Sequence, residues 1–127
     1  MKEHKFPDQT FIKGYYIDPK ICDNIIDTFN NLPQAYRSPG QMYNTTNESV
    51  VDPDKKESFD FYVRKGTGLS PFREYDDALQ KCLEKYMQEY SDMQYLTKFN
   101  VVEPMNVQHY KPGGGFKIWQ VIKCIYN

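Results

Sequence analysis

The chain has 127 residues, of which 16 are basic and 17 acidic, so its formal net charge is −1. This length predicts one domain. The near-balance of charge argues against a nucleic acid or an acidic membrane surface as a partner held by bulk charge. Aromatic residues make up 16% of the chain, and disordered segments are poor in them, so most of the chain is expected to fold.

Cysteine usage and the apolar runs narrow the class of protein further. Cys22, Cys82 and Cys124 show no Cys-x-x-Cys spacing, which argues against a disulfide framework or a zinc site and favours a reducing compartment. Residues 1–10 are polar and lack the apolar core of a signal peptide, and no run approaches 18 apolar residues. We therefore expect a cytoplasmic chain with a flexible N-terminus over residues 1–10 and no membrane partner.

The first part of the chain predicts a strand, a helix and a long loop. Residues 11–17 form a short apolar and aromatic run that is typical of a strand. Asp18-Pro19 has the pattern of an N-cap followed by proline at the first helical position. An apolar stripe then predicts a helix to about Asn30, with the members Ile21, Cys22, Ile25, Ile26 and Phe29. Residues 31–57 are rich in turn-forming residues and predict a long loop.

The second part predicts another strand, another helix and a β-rich end. Residues 58–63 alternate, with Phe59, Phe61 and Val63 on one face. Ser70-Pro71 predicts the start of a helix that runs to about Tyr90, with the apolar stripe Phe72, Tyr75, Leu79, Cys82, Leu83, Tyr86 and Tyr90. Strands are predicted over 97–102 and 105–110, the latter in a hairpin with 116–126. The last strand has no successor, which predicts an exposed β edge.

The run from Met105 to Trp119 carries a family resemblance; it reads Met-Asn-Val-Gln-His-Tyr-Lys-Pro-Gly-Gly-Gly-Phe-Lys-Ile-Trp. It resembles the segment of prolyl-hydroxylase-like 2-oxoglutarate/Fe(II) oxygenases in which a strand ending in Tyr meets a Pro/Gly turn and then an aromatic residue. Residues 11–29 and 52–63, with the helix from Pro71, are similar to earlier parts of short bacterial and phage members. The resemblance implies an α+β fold, in which N-terminal helices pack on an incomplete antiparallel sheet of a double-stranded β-helix, or jelly roll.

The resemblance also implies a chemistry, the hydroxylation of a prolyl or other peptide side chain with Fe(II) and 2-oxoglutarate as cofactors. Iron in that family needs two imidazoles and one carboxylate. The first histidine and the acid lie two residues apart on one strand, so that both point to the same side. Gln120 and Ile122 stand at these two positions, and the second histidine and the basic residue that binds 2-oxoglutarate would follow Asn127. We therefore expect a truncated oxygenase domain that binds no Fe(II) and turns over no 2-oxoglutarate. An altered reading frame or a misplaced gene end near Trp119 would explain the departure.

Other candidate residues have both a functional and a structural interpretation. Tyr110 matches a family position whose hydroxyl helps to hold 2-oxoglutarate, and a core or edge aromatic is the alternative. His109 has no carboxylate or histidine two residues away, so we expect an ordinary strand residue and not a metal ligand. The carboxylates of the middle section could be paired for catalysis, but solvated positions are the better prediction for Asp52, Asp54, Glu57 and Asp60.

Two functions besides catalysis stay open. The chain could be a non-catalytic, protein-binding or virion-associated module that uses the loop over residues 31–57 and its aromatic surface. Alternatively, a complementing chain could supply the missing strands and metal ligands in trans. If neither holds, the exposed β edge predicts self-association by strand pairing.

Overall fold

The computed structural model describes residues 1–7, 10–64, 66–95 and 104–119. Within these ranges the fold combines two α-helices with small antiparallel sheets, so the predicted mixture of helix and sheet is confirmed. The contacts within the chain divide it into two compact units, and the single domain expected from its length stays a prediction. The first unit comprises Met1–Asn31 and Val63–Met105, and the second comprises Leu32–Tyr62 and the chain from Asn106 onward.

The first unit opens with an antiparallel ribbon of strands β1 (Lys2–His4) and β2 (Gly14–Tyr16). Lys2 lies opposite Tyr16, and His4 lies opposite Gly14. The predicted flexibility of residues 1–10 is therefore wrong for Lys2–His4. The polar composition of residues 1–10 did not predict this strand. Strand β1 is stabilised by its pairing with β2 and by the ion pairs of Glu3, which local sequence does not show.

The two helices lie close to their predicted bounds. Helix α1 spans Pro19–Asn31, and the backbone N–H of Lys20 donates to Asp18 Oδ1 at 3.0 Å, which confirms the predicted cap. Helix α2 spans Phe72–Glu89, and a short 3-10 turn follows at Ser91–Tyr95. The side chain of Ser70 does not cap α2, because Pro71 occupies the N-cap position there. Neither helix is long and apolar enough to cross a membrane.

A small apolar core holds the first unit together. Its buried side chains are Phe29 near the end of α1, Val63 and Phe72 at the start of α2. The outer members of the predicted stripe on α1 are exposed, Cys22 and Ile26 among them. The apolar stripe predicted on α1 thus includes residues that lie outside the buried face of the helix.

In the second unit, the segment predicted as a long loop is folded. It contains a 3-10 turn at Gln34–Tyr36 and the two-residue strands β3 (Ser38–Pro39), β4 (Met42–Tyr43) and β5 (Ser49–Val50). Strands β4 and β5 form a hairpin whose turn is held by Asn44, since Asn44 Oδ1 accepts from the backbone N–H of Thr46 and of Glu48. Elements this short depend on their partners, so local sequence does not reveal them.

The central strand of the second unit is β6, Phe59–Val63, with β3 on one side and β7 (Met105–His109) on the other. The pairing of β3 with β6 is antiparallel, with Ser38 opposite Asp60. The predicted strands over 58–63 and 105–110 are therefore confirmed. The predicted strand over 97–102 lies outside the described residues.

The chain after the glycine turn takes a different partner from the one predicted. A turn forms at residues 111–114, with the N–H of Gly114 donating to Lys111 O at 2.8 Å. Phe116 then forms an antiparallel bridge with Lys56, and the N–H of Glu57 donates to Gly115 O. The predicted hairpin of β7 with residues 116–126 is therefore wrong at Phe116. The backbone of residues 115–117 forms its hydrogen bonds with residues 55–57 and not with β7. Residues 120–126 lie outside the described part of the chain.

Candidate functional site

A buried carboxylate forms the centre of the second unit. The side chain of Asp60 is 1% exposed, and it accepts hydrogen bonds from four side chains. Lys56 Nζ lies 2.8 Å from Asp60 Oδ2 and Ser58 Oγ lies 2.7 Å from Oδ1. The side-chain amide nitrogens of Asn106 and Gln108 each lie 3.3 Å from Oδ2. We call Asp60 and these four partners the Asp60 cluster.

Strand geometry explains why these residues meet. Lys56, Ser58 and Asp60 alternate with Glu57 and Phe59, so an extended chain places the three polar side chains on one face. The alternation of β7 does the same for Asn106 and Gln108. Because β7 lies beside β6 in the sheet, both amides reach the same carboxylate oxygen.

The segment around Gly40 is packed closely against this cluster. The N–H of Gly40 donates to Ser58 O at 2.9 Å, and Lys56 Nζ donates to Gln41 O at 3.3 Å. A Cβ atom at Gly40 would collide with Ser58 Oγ and would lie 2.9 Å from Lys56 Cε. Position 40 therefore requires glycine because of this close approach, and not because of its backbone conformation.

The burial of two opposite charges has to be offset by hydrogen bonds. Lys56 is 3% exposed, so both members of its ion pair with Asp60 have lost nearly all their water. Such a pair is tolerated only where its geometry is good and further partners satisfy the remaining lone pairs and protons. The donors of Ser58, Asn106 and Gln108 supply this for Asp60. The cluster thus fixes the arrangement of β6, β7 and the Gly40 segment.

Asn106 is the one member of the Asp60 cluster with an unsatisfied buried atom. Its Nδ2 group donates to Asp60, whereas its Oδ1 is buried without a hydrogen-bond partner among the described residues. An orphaned buried acceptor costs about 1–3 kcal/mol. The bond to Asp60 therefore dominates the orientation of this amide.

Tyr110, the predicted 2-oxoglutarate residue, lies at the edge of the cluster. It directly follows β7 and is half-buried, and its hydroxyl donates to Gln108 Oε1 at 3.1 Å. A chain of hydrogen bonds therefore runs from Tyr110 through the amide of Gln108 to the Asp60 carboxylate. The sequence alone gave no sign of this connection.

The middle carboxylates divide into exposed and buried groups. Asp54 and Glu57 are exposed, as predicted, and Asp52 is half-buried with Lys55 Nζ at 2.8 Å from its Oδ2. The hydrogen bond from Lys55 lowers the pKa of Asp52 below its usual range. The prediction of a solvated Asp60 is wrong. The sequence feature that relates to the burial of Asp60 is the alternation of Lys56, Ser58 and Asp60. A polar face of a strand is usually exposed to water, so this alternation did not predict burial.

Gln120 and Ile122, which stand at the predicted metal positions, lie outside the described residues. His109 is the last residue of β7 and its side chain is exposed. Among the described residues, no group of three His, Cys, Asp or Glu side chains is arranged to hold a metal ion. Cys22 and Cys82 are free cysteines.

A second cluster of charges lies in the first unit and fastens β1 to α2. Glu3 pairs with Lys85 at 2.9 Å and with Lys13 at 3.3 Å, and Lys13 also pairs with Glu89. The hydrogen bonds from Lys85 and then Lys13 lower the pKa of Glu3. The hydrogen bond to Glu89 is the main cause that raises the pKa of Lys13. Burial raises the pKa of Tyr15, with the charge of Glu3 acting in the same direction.

Two tyrosine hydroxyls hold the segment between β1 and β2. Tyr86 Oη donates to Phe11 O at 2.8 Å and Tyr90 Oη donates to Thr10 O at 2.7 Å. A cavity of about 420 Å³ lies beside these contacts, with Phe6, Pro7, Thr10, Phe11, Ile12, Lys13, Glu89 and Tyr90 as its lining. Among the described lining residues, the charges of Lys13 and Glu89 offset each other in an ion pair.

The chain matches no protein-family model, no curated protein and no solved structure. The Asp60 cluster is a buried ion pair whose hydrogen bonds extend through Gln108 to the half-buried Tyr110.

Proposed function

We propose that the chain is a non-catalytic relative of the prolyl-hydroxylase-like 2-oxoglutarate/Fe(II) oxygenases. In this proposal the jelly-roll scaffold of the family is retained and its iron site is not, and the location is cytoplasmic. The observation that carries the proposal is the order around Tyr110. Strand β7 ends at His109, Tyr110 follows, and the chain then turns at residues 111–114 before Phe116, which is the order that the resemblance calls for.

The absence of iron chemistry in this proposal follows from the ligand types. A neutral amide at Gln120 is a poor replacement for imidazole, and the alkyl side chain of Ile122 cannot bind iron at all. An iron site with two imidazoles and a carboxylate would need both positions changed.

The test is turnover of 2-oxoglutarate. We expect no succinate above the protein-free background when the chain is incubated with 2-oxoglutarate, Fe(II) and ascorbate, with and without proline-containing peptides. An active oxygenase of the family, assayed in parallel, is the control. Succinate release that depends on the chain would refute the proposal.

A second candidate is a protein-binding module, and the exposure of aromatic side chains favours it. In the second unit Tyr36 is 64% exposed, Tyr43 is 70% exposed and Trp119 is fully exposed. Tyr and Trp are enriched at protein interfaces because they combine a large apolar ring with a polar group. Tyr36 and Tyr43 lie in the segment over residues 31–57 that the sequence singled out for this role.

A further inference from the structure

The cavity in the first unit has walls that are held in place without a ligand. The C-terminal end of α2, with Glu89 and Tyr90, lies on one side, and the segment that joins β1 to β2 lies on the other. The hydroxyls of Tyr86 and Tyr90 tie Phe11 O and Thr10 O of that segment to the helix. The volume of about 420 Å³ is that of a small-molecule site, and such sites are usually largely preformed.

The end of α2 gives this cavity a preference for positive charge. Carbonyl groups at the C-terminus of a helix carry a partial negative charge, which a basic side chain in the last turn can offset. The last turn of α2 has no basic residue and ends in Glu89 instead. Lys13 pairs with Glu89 and with Glu3. Lys85 also pairs with Glu3, so the two lysines balance the two glutamates and leave the negative helix end uncompensated by these four side chains.

Aromatic rings line the same cavity. Its walls include Phe6, Phe11 and Tyr90, and the centres of the Phe11 and Tyr90 rings lie 5.4 Å apart. The face of an aromatic ring attracts a cation, and Lys13 Nζ makes such a contact here, 5.8 Å from the centre of the Tyr90 ring. The side chain of Phe11 is 78% exposed, so its ring is open to a ligand. The rings and the helix end together favour a cation with an apolar body.

We propose that this cavity binds a small organic ammonium ion that carries an aromatic ring, with the ring against Phe11 and the charged nitrogen beside the Glu89 carboxylate. One oxygen of Glu89 pairs with Lys13, and the other has no hydrogen-bond partner among the described residues, so it can accept from the ligand. The Glu89 side chain is 39% exposed and can be reached from solvent. This site goes beyond the proposed function and does not depend on it, because the lining residues belong to the first unit.

The test is an NMR titration of the full chain at pH 7 and low salt with benzylamine, benzyl alcohol and benzoate. These probes share one ring and differ in charge, since benzylamine is a cation at this pH, benzyl alcohol is neutral and benzoate is an anion. We expect benzylamine to bind about three- to tenfold more tightly than benzyl alcohol, and benzoate to bind most weakly. Equal affinities for benzylamine and benzyl alcohol, or no saturable shift of the Phe11 and Tyr90 amides with benzylamine, would overturn the proposal.

Two variants test where the ammonium ion lies. Glu89→Gln keeps the shape of the side chain and removes its charge, so it should lower the affinity for benzylamine about threefold and leave that for benzyl alcohol unchanged. Phe11→Leu removes an exposed ring, and it should also weaken benzylamine about threefold. Far-UV circular dichroism checks that both variants are folded.

Glu84→Gln is the matched control, because it removes the same charge at an exposed position of the same helix. It should leave the affinity for benzylamine within about 1.5-fold of the native value. An equal loss in E84Q and E89Q would show that the charge of the whole chain, and not this cavity, attracts the cation, and would overturn the assignment.

Butylamine separates the proposed ligand from a lysine side chain of a partner protein, whose stem and ammonium group it reproduces. It should bind more weakly than benzylamine, because it offers no ring to Phe11. Binding of butylamine as tight as that of benzylamine would overturn the assignment to a ring-bearing ammonium ion.

Discussion

Lys56 and Asp60 neutralise each other where neither has water, and this restricts how either can be replaced. Loss of one partner leaves an uncompensated charge in the interior. Loss of both leaves a space that apolar side chains can fill. We therefore expect a single substitution at Lys56 or Asp60 to change the free energy of unfolding strongly, and a double substitution to change it little.

We expect Asp60→Ala to lower the free energy of unfolding by roughly 3–5 kcal/mol, and K56M/D60L to be nearly neutral or stabilising. Urea denaturation followed by far-UV circular dichroism measures both. Asp54→Ala removes an exposed carboxylate and is the matched control, with an expected change within about 0.5 kcal/mol. A loss below about 1 kcal/mol in D60A would show that the pair is not buried as described.

Asp60 also shows where sequence interpretation reaches its limit. The alternation of residues 58–63 predicted the strand β6 correctly. The extended chain that leads into β6 places Lys56 and Ser58 on the same face as Asp60. The amides that remove this face from water come from Asn106 and Gln108, almost fifty residues later in the chain. Local patterns carry no information about such partners, so Asp60 was predicted to be solvated.

At the scale of elements, periodicity was sufficient to predict α1, α2, β6 and β7, because each is long enough to show a pattern of its own. It was insufficient for β1 and for the two-residue strands β3, β4 and β5. A strand of two or three residues has no period to detect. Its backbone hydrogen bonds are supplied by a partner strand.

The stability that Glu3 of strand β1 contributes should be lost in acid. The pKa of Glu3 is lower in the folded chain than its ordinary value of 4.5, so its contribution to stability is present above about pH 4.5 and is lost as the pH falls through the folded pKa. Thermal unfolding of the native chain and of Glu3→Gln should therefore differ at pH 7 and converge in acid. Asp77→Asn, at an exposed position of α2, is the control.

At alkaline pH, the stability that the ion pairs of Lys13 contribute depends on the charge of Lys13. Its pKa is raised above 10.5, so its contribution is complete below that pH and is lost only in stronger alkali. The melting temperature of E3Q relative to the native chain should consequently stay constant from about pH 5 to pH 10. A difference that grows as the pH falls below 4.5 would contradict the ion pairs of Glu3.

At the scale of the whole molecule, many large apolar side chains remain exposed. Isolated exposed apolar residues are ordinary, whereas fully exposed aromatic rings are frequent at interaction surfaces. Tyr36, Tyr43 and Trp119 are the most exposed aromatic residues of the second unit among those described. The composition alone, with 16% aromatic residues, predicted a folded chain but not which rings would be outside.

If the chain is a binding module, a partner should be retained through these rings. We expect the immobilised chain to retain a protein from bacterial extract, and Y36S/Y43S to retain it at least tenfold less. Phe11→Ser, which removes an exposed ring from the first unit, is the control and should leave retention unchanged. Equal retention by Y36S/Y43S and the native chain would exclude this surface.

The close approach at Gly40 has a consequence for the detection of relatives. Because the cluster tolerates no Cβ at position 40 and needs every donor around Asp60, a chain that shares the second unit should preserve a sparse signature. It consists of Gly40, then Lys56-x-Ser58-x-Asp60, then Asn106-x-Gln108. Most of the described residues between these positions are exposed and free to diverge. A search weighted on these six positions should therefore recover remote members that comparison over the whole length leaves undetected.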